Sequence, residues 1–312
     1  MQSNPSVLAI GELLWDLLPS GKLLGGAPAN CCFRLAQLGV DARMVSRIGT
    51  DALGHELAAD LTARGFDLSL VQRDAAHPTG TVEVQLSPEG SPCFTIIPAV
   101  AYDHLEATPE LLAAARQSHA VCFGTLIQRS RAARQAVYAV LDAASSAIRF
   151  LDINLRKDCY SAQTVAASLE RATILKLNSE EVVEVSRLLG ISARSERDAV
   201  GAFLRTFPLK LVLVTRGAHG AYALSATGEE ALLPGIEVSV VDTIGSGDSF
   251  SAGFLSMHIA GASLRESCHF GNINGALNAS RKGGMPIISA AELEAFMAQH
   301  PMPLAKARLK GS

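Results

Sequence analysis

No long run of like charge, no C-x-x-C pair and no apolar stretch of transmembrane length occurs in this chain of 312 residues. Each absence excludes something. The 27 Lys and Arg against 30 Asp and Glu leave a net charge of −3, so neither nucleic acid nor an anionic membrane is an expected partner. Six cysteines without paired spacing, with Cys31 and Cys32 adjacent in what reads as a buried helix, point to reduced thiols rather than a disulfide framework. The eight histidines form no ligand-like cluster, which argues against a zinc or iron site. The opening MQSNPSVLAIGELLWD has no basic n-region and carries Glu12 and Asp16 where a signal peptide stays apolar, so a soluble, cytoplasmic protein is expected. Repeats, low-complexity tracts and clean linkers are also missing, and residues 1–312 are expected to form a single domain.

What the chain does have is apolar residues, 48% of the total, enough for a sizeable core. Short β-rich apolar runs recur at 6–11, 42–49, 119–124, 147–154, 172–178 and 209–217. Helical patterns lie between them. Leu53, Leu57 and Leu61 repeat every four residues before Gly65, and Thr108-Pro109 reads as N-cap and first helical residue. This alternation implies an α/β fold, doubly wound, with a mostly parallel sheet flanked by helices. Two stretches break the rhythm, about 12–25 and about 79–97. In the second, apolar and polar side chains alternate around a turn at Ser87-Pro88-Glu89-Gly90. Together they are expected to form a small β-sheet lid over the rim of the body, with Phe94 and Ile96 walling a ligand; a plain edge hairpin is the alternative.

The segment DTIGSGDSFSAG, residues 242–253, follows the strand-like run EVSVV and precedes a pattern in which Phe250, Phe254 and Met257 share a helical face. It reads as strand, glycine-rich turn and helix start. Gly245, Ser246 and Gly247 allow close backbone approach, and the first N–H groups of a helix favour negative charge, so the turn suits a phosphate. Asp248 at its mouth should stay ionised near neutral pH beside those N–H groups, as a base for an alcohol in phosphoryl transfer. Taken alone, Asp248 reads equally well as an N-cap. There is no G-K-[ST] after a four-residue gap, and Phe250 stands where G-x-G-x-x-G needs its last glycine, so neither a P-loop enzyme nor a dinucleotide oxidoreductase is favoured.

Asp242, Thr243, Gly245, Ser246, Gly247, Asp248, Ala252 and Gly253 match D-T-x-G-[AS]-G-D followed by A-G, and GGAPAN stands at 25–30 with Gly39 and Gly49 beyond it. On these two ordered signatures the chain resembles the ribokinase-like (PfkB) carbohydrate kinases over nearly its whole length. The GELLWD run, Asp152-x-Asn154-x-Arg156 and Lys176-x-Asn178 resemble the bacterial fructokinase branch. Cys32 departs from the small Ser, Thr or Ala usual there, a difference expected to touch packing only.

The resemblance implies an ATP-dependent kinase acting on a monosaccharide, with fructose favoured, Mg²⁺ as cofactor and K⁺ as a further ion. It places sugar hydroxyls on Asp16, on the Gly25-Gly26 backbone and on Asn30, with Arg156 near a phosphate or an acidic sugar. It sets Lys176, Asn178, Thr215, Gly217 and Asn272 around the nucleotide. Glu181 would organise Mg²⁺ through water, and Asp242, Ile244 and Gly284 match a monovalent-cation site. Bland readings exist for several of these, such as a turn at Gly25-Gly26, a cap at Asn30, a solvated strand-end lysine at Lys176 and a salt-bridge partner at Arg156. A homodimer joined through the lid is expected, because exposed sheet edges invite pairing. The alternatives are a 2-keto-3-deoxygluconate kinase, in which Arg156 would hold the carboxylate, and a sugar-binding regulatory protein without turnover.

Overall fold

The structure, a computed structural model, describes residues 5–19, 21–86 and 92–303. Strand β1 (Ser6–Ile10) is followed by the hairpin β2 (Leu14–Leu18) and β3 (Gly21–Gly25), then α1 (Ala27–Gln37), β4 (Asp41–Gly49), α2 (Ala52–Ala63) and β5 (Val71–Asp74). A second antiparallel pair, β6 (Gly80–Leu86) and β7 (Pro92–Ile96), comes next. The chain continues through α3 (Pro109–Gln117), β8 (Ala120–Phe123), α4 (Arg131–Ala143), β9 (Ile148–Asp152), α5 (Ala162–Leu169), β10 (Ile174–Asn178) and α6 (Ser179–Leu188). It ends with α7 (Glu196–Thr206), β11 (Leu211–Thr215), β12 (Ala221–Ser225), β13 (Glu230–Leu233), α8 (Ser246–Ile259), α9 (Leu264–Ala279) and α10 (Ala290–Gln299).

Among the described residues nine strands form one sheet in the order β13-β12-β11-β10-β9-β8-β1-β4-β5, and four form another in the order β3-β2-β6-β7. In the large sheet β12 pairs antiparallel with both β11 and β13 at one edge, and the other pairings are parallel. The strands carry apolar residues on both faces because both faces are covered. Leu8, Ile10, Leu175, Leu177, Val212 and Val214 enter a core shared with α3 to α7. Their strand neighbours Val7, Ala9, Ile174, Leu211 and Leu213 enter a second core with α1, α2, α8 and α9. Period-two alternation thus feeds two cores rather than one core and solvent. Lys176, between Leu175 and Leu177, must point to the same side as Ile174, toward α8.

The helix signals resolve as expected. Asp51 caps α2, which ends two residues before Gly65, where φ is 77°. Thr108 caps α3 by accepting from Leu111 N at 3.3 Å. One expectation fails. The run EVSVV, 237–241, is not a strand: Val241 N and Asp242 N both donate to Ala279 O at the end of α9, and Val240 and Val241 stay exposed. With its end tied to a helix end rather than a strand, β-branched composition alone makes no ladder.

Chain order around β1 decides where ligands can sit. The chain first fills one side of β1 with β4 and β5, then crosses over and adds β8, β9, β10 and β11 on the other. Connections leave β1 and β8 in opposite directions, which opens a crevice at their carboxyl ends. The small sheet stands over this crevice, built from the two stretches that broke the α/β rhythm. The turn at Ser87-Pro88-Glu89-Gly90 and the side chain of Phe94 lie outside the described residues.

Candidate active site

A cavity of about 1200 Å³ opens at that crevice, larger than a single small ligand needs and roomy enough for two. Strand ends supply one wall: Glu12 after β1, Asn154 and Arg156 after β9, Lys176 and Asn178 on β10, and Thr215 at the end of β11. The opposite wall is the turn 243–247 with the first residues of α8, and the small sheet closes one end through Asp16, Val82 and Ile96. Val82 and Ile96 are cross-strand partners, so the apolar face over the cavity comes from both arms of the second hairpin.

The two glycine-rich segments meet here. Asn30 Nδ2 donates to Asp248 Oδ2 at 2.8 Å, a buried bond between residues 218 positions apart. Asn30 lies in the first turn of α1, past the cap position, so the capping reading does not hold. Asp248 is the third residue of α8, whose N-cap is Gly245 in the left-handed region at φ 75°, so it is not the cap either. Burial, then the nearby Asp152 carboxylate, pushes Asp248 up to about 6 against the pull of Asn30, Lys176 and Arg156. That is higher than the helix N-terminus alone would leave it, yet the group remains largely ionised at pH 7.

Lys176 is no solvated strand end. It is buried, and Nζ sits 3.0 Å from Asp152 Oδ1, while Asp152 Oδ2 accepts from Ser251 Oγ at 2.8 Å. Burial alone would lower its pKa, but Asp152, Glu181 and Asp248 outweigh that and raise it. A Cβ on Gly247 would stand 3.1 Å from Lys176 Nζ, so the glycine lets the ammonium approach the turn. The ammonium and the first amides of α8 therefore converge on one side of the cavity, a suitable cradle for a transferring phosphoryl group.

At the small-sheet end, Gly25 pairs across from Leu14, and a Cβ there would fall 2.5 Å from Asp16 Oδ2. The glycine is required because the Asp16 carboxyl occupies that space. Burial pushes Asp16 up to about 6, partly offset by Arg156. Arg156 is exposed and acts on Glu12, Asp16 and Asp248 across space. Three buried polar atoms in this cavity have no partner in the protein: Glu12 Oε2, Asn30 Oδ1 and Ser246 Oγ. Unsatisfied buried groups are costly, and their gathering around one cavity marks a ligand site.

The remaining expected residues fall in the same neighbourhood. Asn178 caps α6, accepting from Glu181 N at 2.8 Å, while Glu181 accepts from Leu155 N at 2.9 Å and Asn178 N at 2.8 Å. Both Glu181 oxygens are thus oriented by the backbone, leaving lone pairs that suit a metal-bound water better than direct bidentate ligation; Mg²⁺ fits on those terms. Thr215 and Gly217 line the far end, and Asn272 there donates to Pro234 O at 3.0 Å, holding the loop 234–240 in place. Asp242 and Gly284 lie behind the turn. Asp242 accepts from Ile244 N at 3.0 Å and Gly283 N at 2.9 Å, tying the two loops together. Ile244 O accepts from Asn278 Nδ2 at 2.8 Å.

Two residues gained a place that sequence reasoning had not given them. Asp152 was visible in D-x-N-x-R, but not its bond to Lys176 on the adjacent strand. Glu12 was visible only as a carboxylate closing an apolar run, which is the one signal that marks it.

A two-substrate cleft with an amide-lined turn and a buried carboxylate at a helix start defines a phosphotransferase of the α/β class. Comparison with known proteins agrees with that class. Residues 21–291 match the pfkB family of carbohydrate kinases, and the chain belongs to that family. It is 32% identical over 304 residues to a fructokinase of Klebsiella pneumoniae, covering 90% of this chain and 95% of that one. Among solved structures, fructokinase from Vibrio cholerae in a form bound to fructose, ADP and calcium ion is 26% identical with a TM-score of 0.79, covering 94% and 98% of the two chains. Aminoimidazole riboside kinase from Salmonella enterica, solved with aminoimidazole riboside and an ATP analog, is 25% identical with a TM-score of 0.79, covering 94% and 99%. The chain is accordingly a phosphotransferase acting on a sugar hydroxyl. No helix among the described residues is long and apolar enough to cross a membrane.

Proposed function

We propose that this protein transfers the γ-phosphoryl group of ATP to the terminal hydroxyl of fructose, working in the cytoplasm. The observation that carries the reading is the buried Asn30–Asp248 bond, which brings the residue read as a sugar anchor onto the carboxylate read as the base. Asp16, Asn30, Arg156 and the backbone of Gly25 and Gly26 hold the sugar, and Asp248 accepts the hydroxyl proton as the oxygen attacks phosphorus. The amides of Gly245, Ser246 and Gly247, with Lys176, take up the charge spreading over the transferred group. Asn178, Thr215, Gly217 and Asn272 line the nucleotide end. Mg²⁺, held through waters on Glu181, would neutralise phosphate charge when bound. Asp242, Ile244 and Gly284 frame a K⁺ site behind the turn. The small sheet acts as a lid that excludes water from the phosphoryl group.

The charge around the sugar favours a neutral substrate over 2-keto-3-deoxygluconate. Three carboxyl groups, Glu12, Asp16 and Asp248, surround Arg156, and the second cation near Asp248, Lys176, is paired with Asp152, so little cationic charge is free to hold a substrate carboxylate. ATP consumption measured over fructose, ribose, aminoimidazole riboside and 2-keto-3-deoxygluconate tests this, with fructose expected to give the highest kcat/KM. A higher value for another sugar would overturn the substrate while leaving the chemistry standing. Sugar binding with no turnover at all would support the regulatory alternative.

The outer strands β3 and β7 leave the small sheet with two open edges. Pairing of those edges between two copies would cover them, so a homodimer through the lids is expected. Sedimentation equilibrium checks it, and Lys substitutions at Thr95 on β7 should shift the dimer toward monomer. A monomer at working concentration would remove this part of the reading.

A further inference from the structure

Glu12 stands where the first lid hairpin is rooted in the body. The hairpin β2–β3, which carries Asp16, leaves the body after residue 12 and returns at Gly26. The two roots are packed against each other. A Cβ on Gly11 would lie 2.4 Å from Pro28 Cγ, and one on Gly26 would lie 2.3 Å from the Glu12 carbonyl oxygen. Across this contact Glu12 Oε1 accepts from Ala27 N, the first amide of α1, at 3.1 Å. Glu12 is 5% exposed, and Oε2 is buried without a partner.

We propose that Glu12 is a positioning residue that pins the lid's root, and that its charge state sets how firmly the Gly25-Gly26 sugar loop is held. The inference rests on the sugar-kinase reading of this cavity. Ionised, Glu12 makes a charge-assisted bond to an amide at a helix N-terminus, stronger than the bond a neutral acid makes there. Protonated, it lets the root slacken. The charges it feels come from each element around it: Arg156 after β9 favours its ionised form, and Asp248 on α8 opposes it. Tyr102, in the short helix before α3, also lies within its electrostatic reach. Asp152, Cys31 and Cys122 line a small adjoining cavity with it. Burial is the largest influence and pushes the carboxyl up to about 7, so the change of charge falls in the working pH range.

The test measures the KM for the preferred sugar of the panel from pH 6 to pH 8.5 in the parent and in Glu12→Gln, which keeps an acceptor oxygen but no charge. In the parent KM should fall about fivefold as pH rises through 7, the difference expected between a neutral and a charge-assisted bond. In Glu12→Gln that component should vanish, leaving the weaker, acid-side value at pH 8.5. Hydrogen exchange at the Ala27 amide of the unliganded parent, corrected for intrinsic rate, supplies a readout independent of the variant and of catalysis. Protection should be about fivefold greater at pH 8.5 than at pH 6. An unchanged KM profile in Glu12→Gln, or equal protection of Ala27 at both pH values, would overturn the role of Glu12. Because the sugar is taken from the panel, the wrong sugar as leader would correct the substrate without touching this result.

Discussion

Asp248→Asn is expected to lose about 10²- to 10⁴-fold in kcat while binding both ATP and sugar, and to melt at a higher temperature than the parent at pH 8. The first effect follows from removing the group that accepts the hydroxyl proton. Binding should survive because an amide at 248 still offers Asn30 Nδ2 an acceptor oxygen, so the bond between α1 and α8 is kept in its neutral form. The second effect follows from the sign of the pKa shift. Burial raises this carboxyl from 3.8 to about 6, so its ionised form is penalised in the folded state. Below about pH 4 the group is protonated in both folded and unfolded states and the penalty is absent. Above about pH 6 it is present in full, on the order of 3 kcal/mol at 1.36 kcal/mol per pKa unit. The stability gain of Asp248→Asn should therefore be near zero at pH 4 and appear by pH 8, read by denaturant melts at the two pH values. A variant that lost turnover and stability together, at every pH, would identify Asp248 as a structural group instead of a base held at a cost.

The body of this fold could be read from the chain because two-sided burial makes each central strand predominantly apolar on both faces, and β1, β4, β8, β9, β10 and β11 all fall on such runs despite Arg43 and Arg47 in β4 and Lys176 in β10. The edge strands β12 and β13 were missed because they are short: five mostly buried residues and four alternating ones, with Leu232 60% exposed and Leu233 buried, give too little pattern to read. The run 237–241 misled in the opposite direction, since its valines suit a strand, but Val238 and Val240 line the cavity and Val240 and Val241 stay exposed. At the site, the motifs located both glycine-rich segments but not their contact. Periodicity says that a residue is on a strand, not which strand lies beside it. For that reason the Asp152–Lys176 pair, 24 residues apart on neighbouring strands, and the clasp of Glu12 on Ala27 needed coordinates. The pKa values needed them too. A helix N-terminus predicts a depressed Asp248, and only the burial of the group beside Asp152 reverses that direction.

Gly245→Ala is expected to reduce kcat about 10²- to 10³-fold, the range for misplacing a backbone donor to a developing negative charge. Gly245 sits at φ 75°, and a Cβ there would lie 2.6 Å from Gly284 Cα and 2.8 Å from Gly284 O. Both contacts are backbone atoms, so no side chain can swing away to make room. Either the 242–245 turn lifts, carrying the amides of 246 and 247 off the phosphoryl position, or Gly284 retreats. Retreat has its own consequence, because Gly284 rests directly on the Asn30 amide, where a Cβ of its own would fall within 2.6 Å of both Nδ2 and Oδ1. A single methyl group thus disturbs the phosphoryl cradle and the sugar anchor together, and kcat should fall while sugar KM rises. Gly261→Ala is the matched control: φ is 85°, so the left-handed backbone cost of about 1–2 kcal/mol is shared, yet nothing lies within 4 Å of the added carbon. That variant should lose a similar increment in melting temperature and keep its kcat. Equal losses of kcat in the two variants would mean that general destabilisation, and not the contact of the turn with Gly284, governs activity.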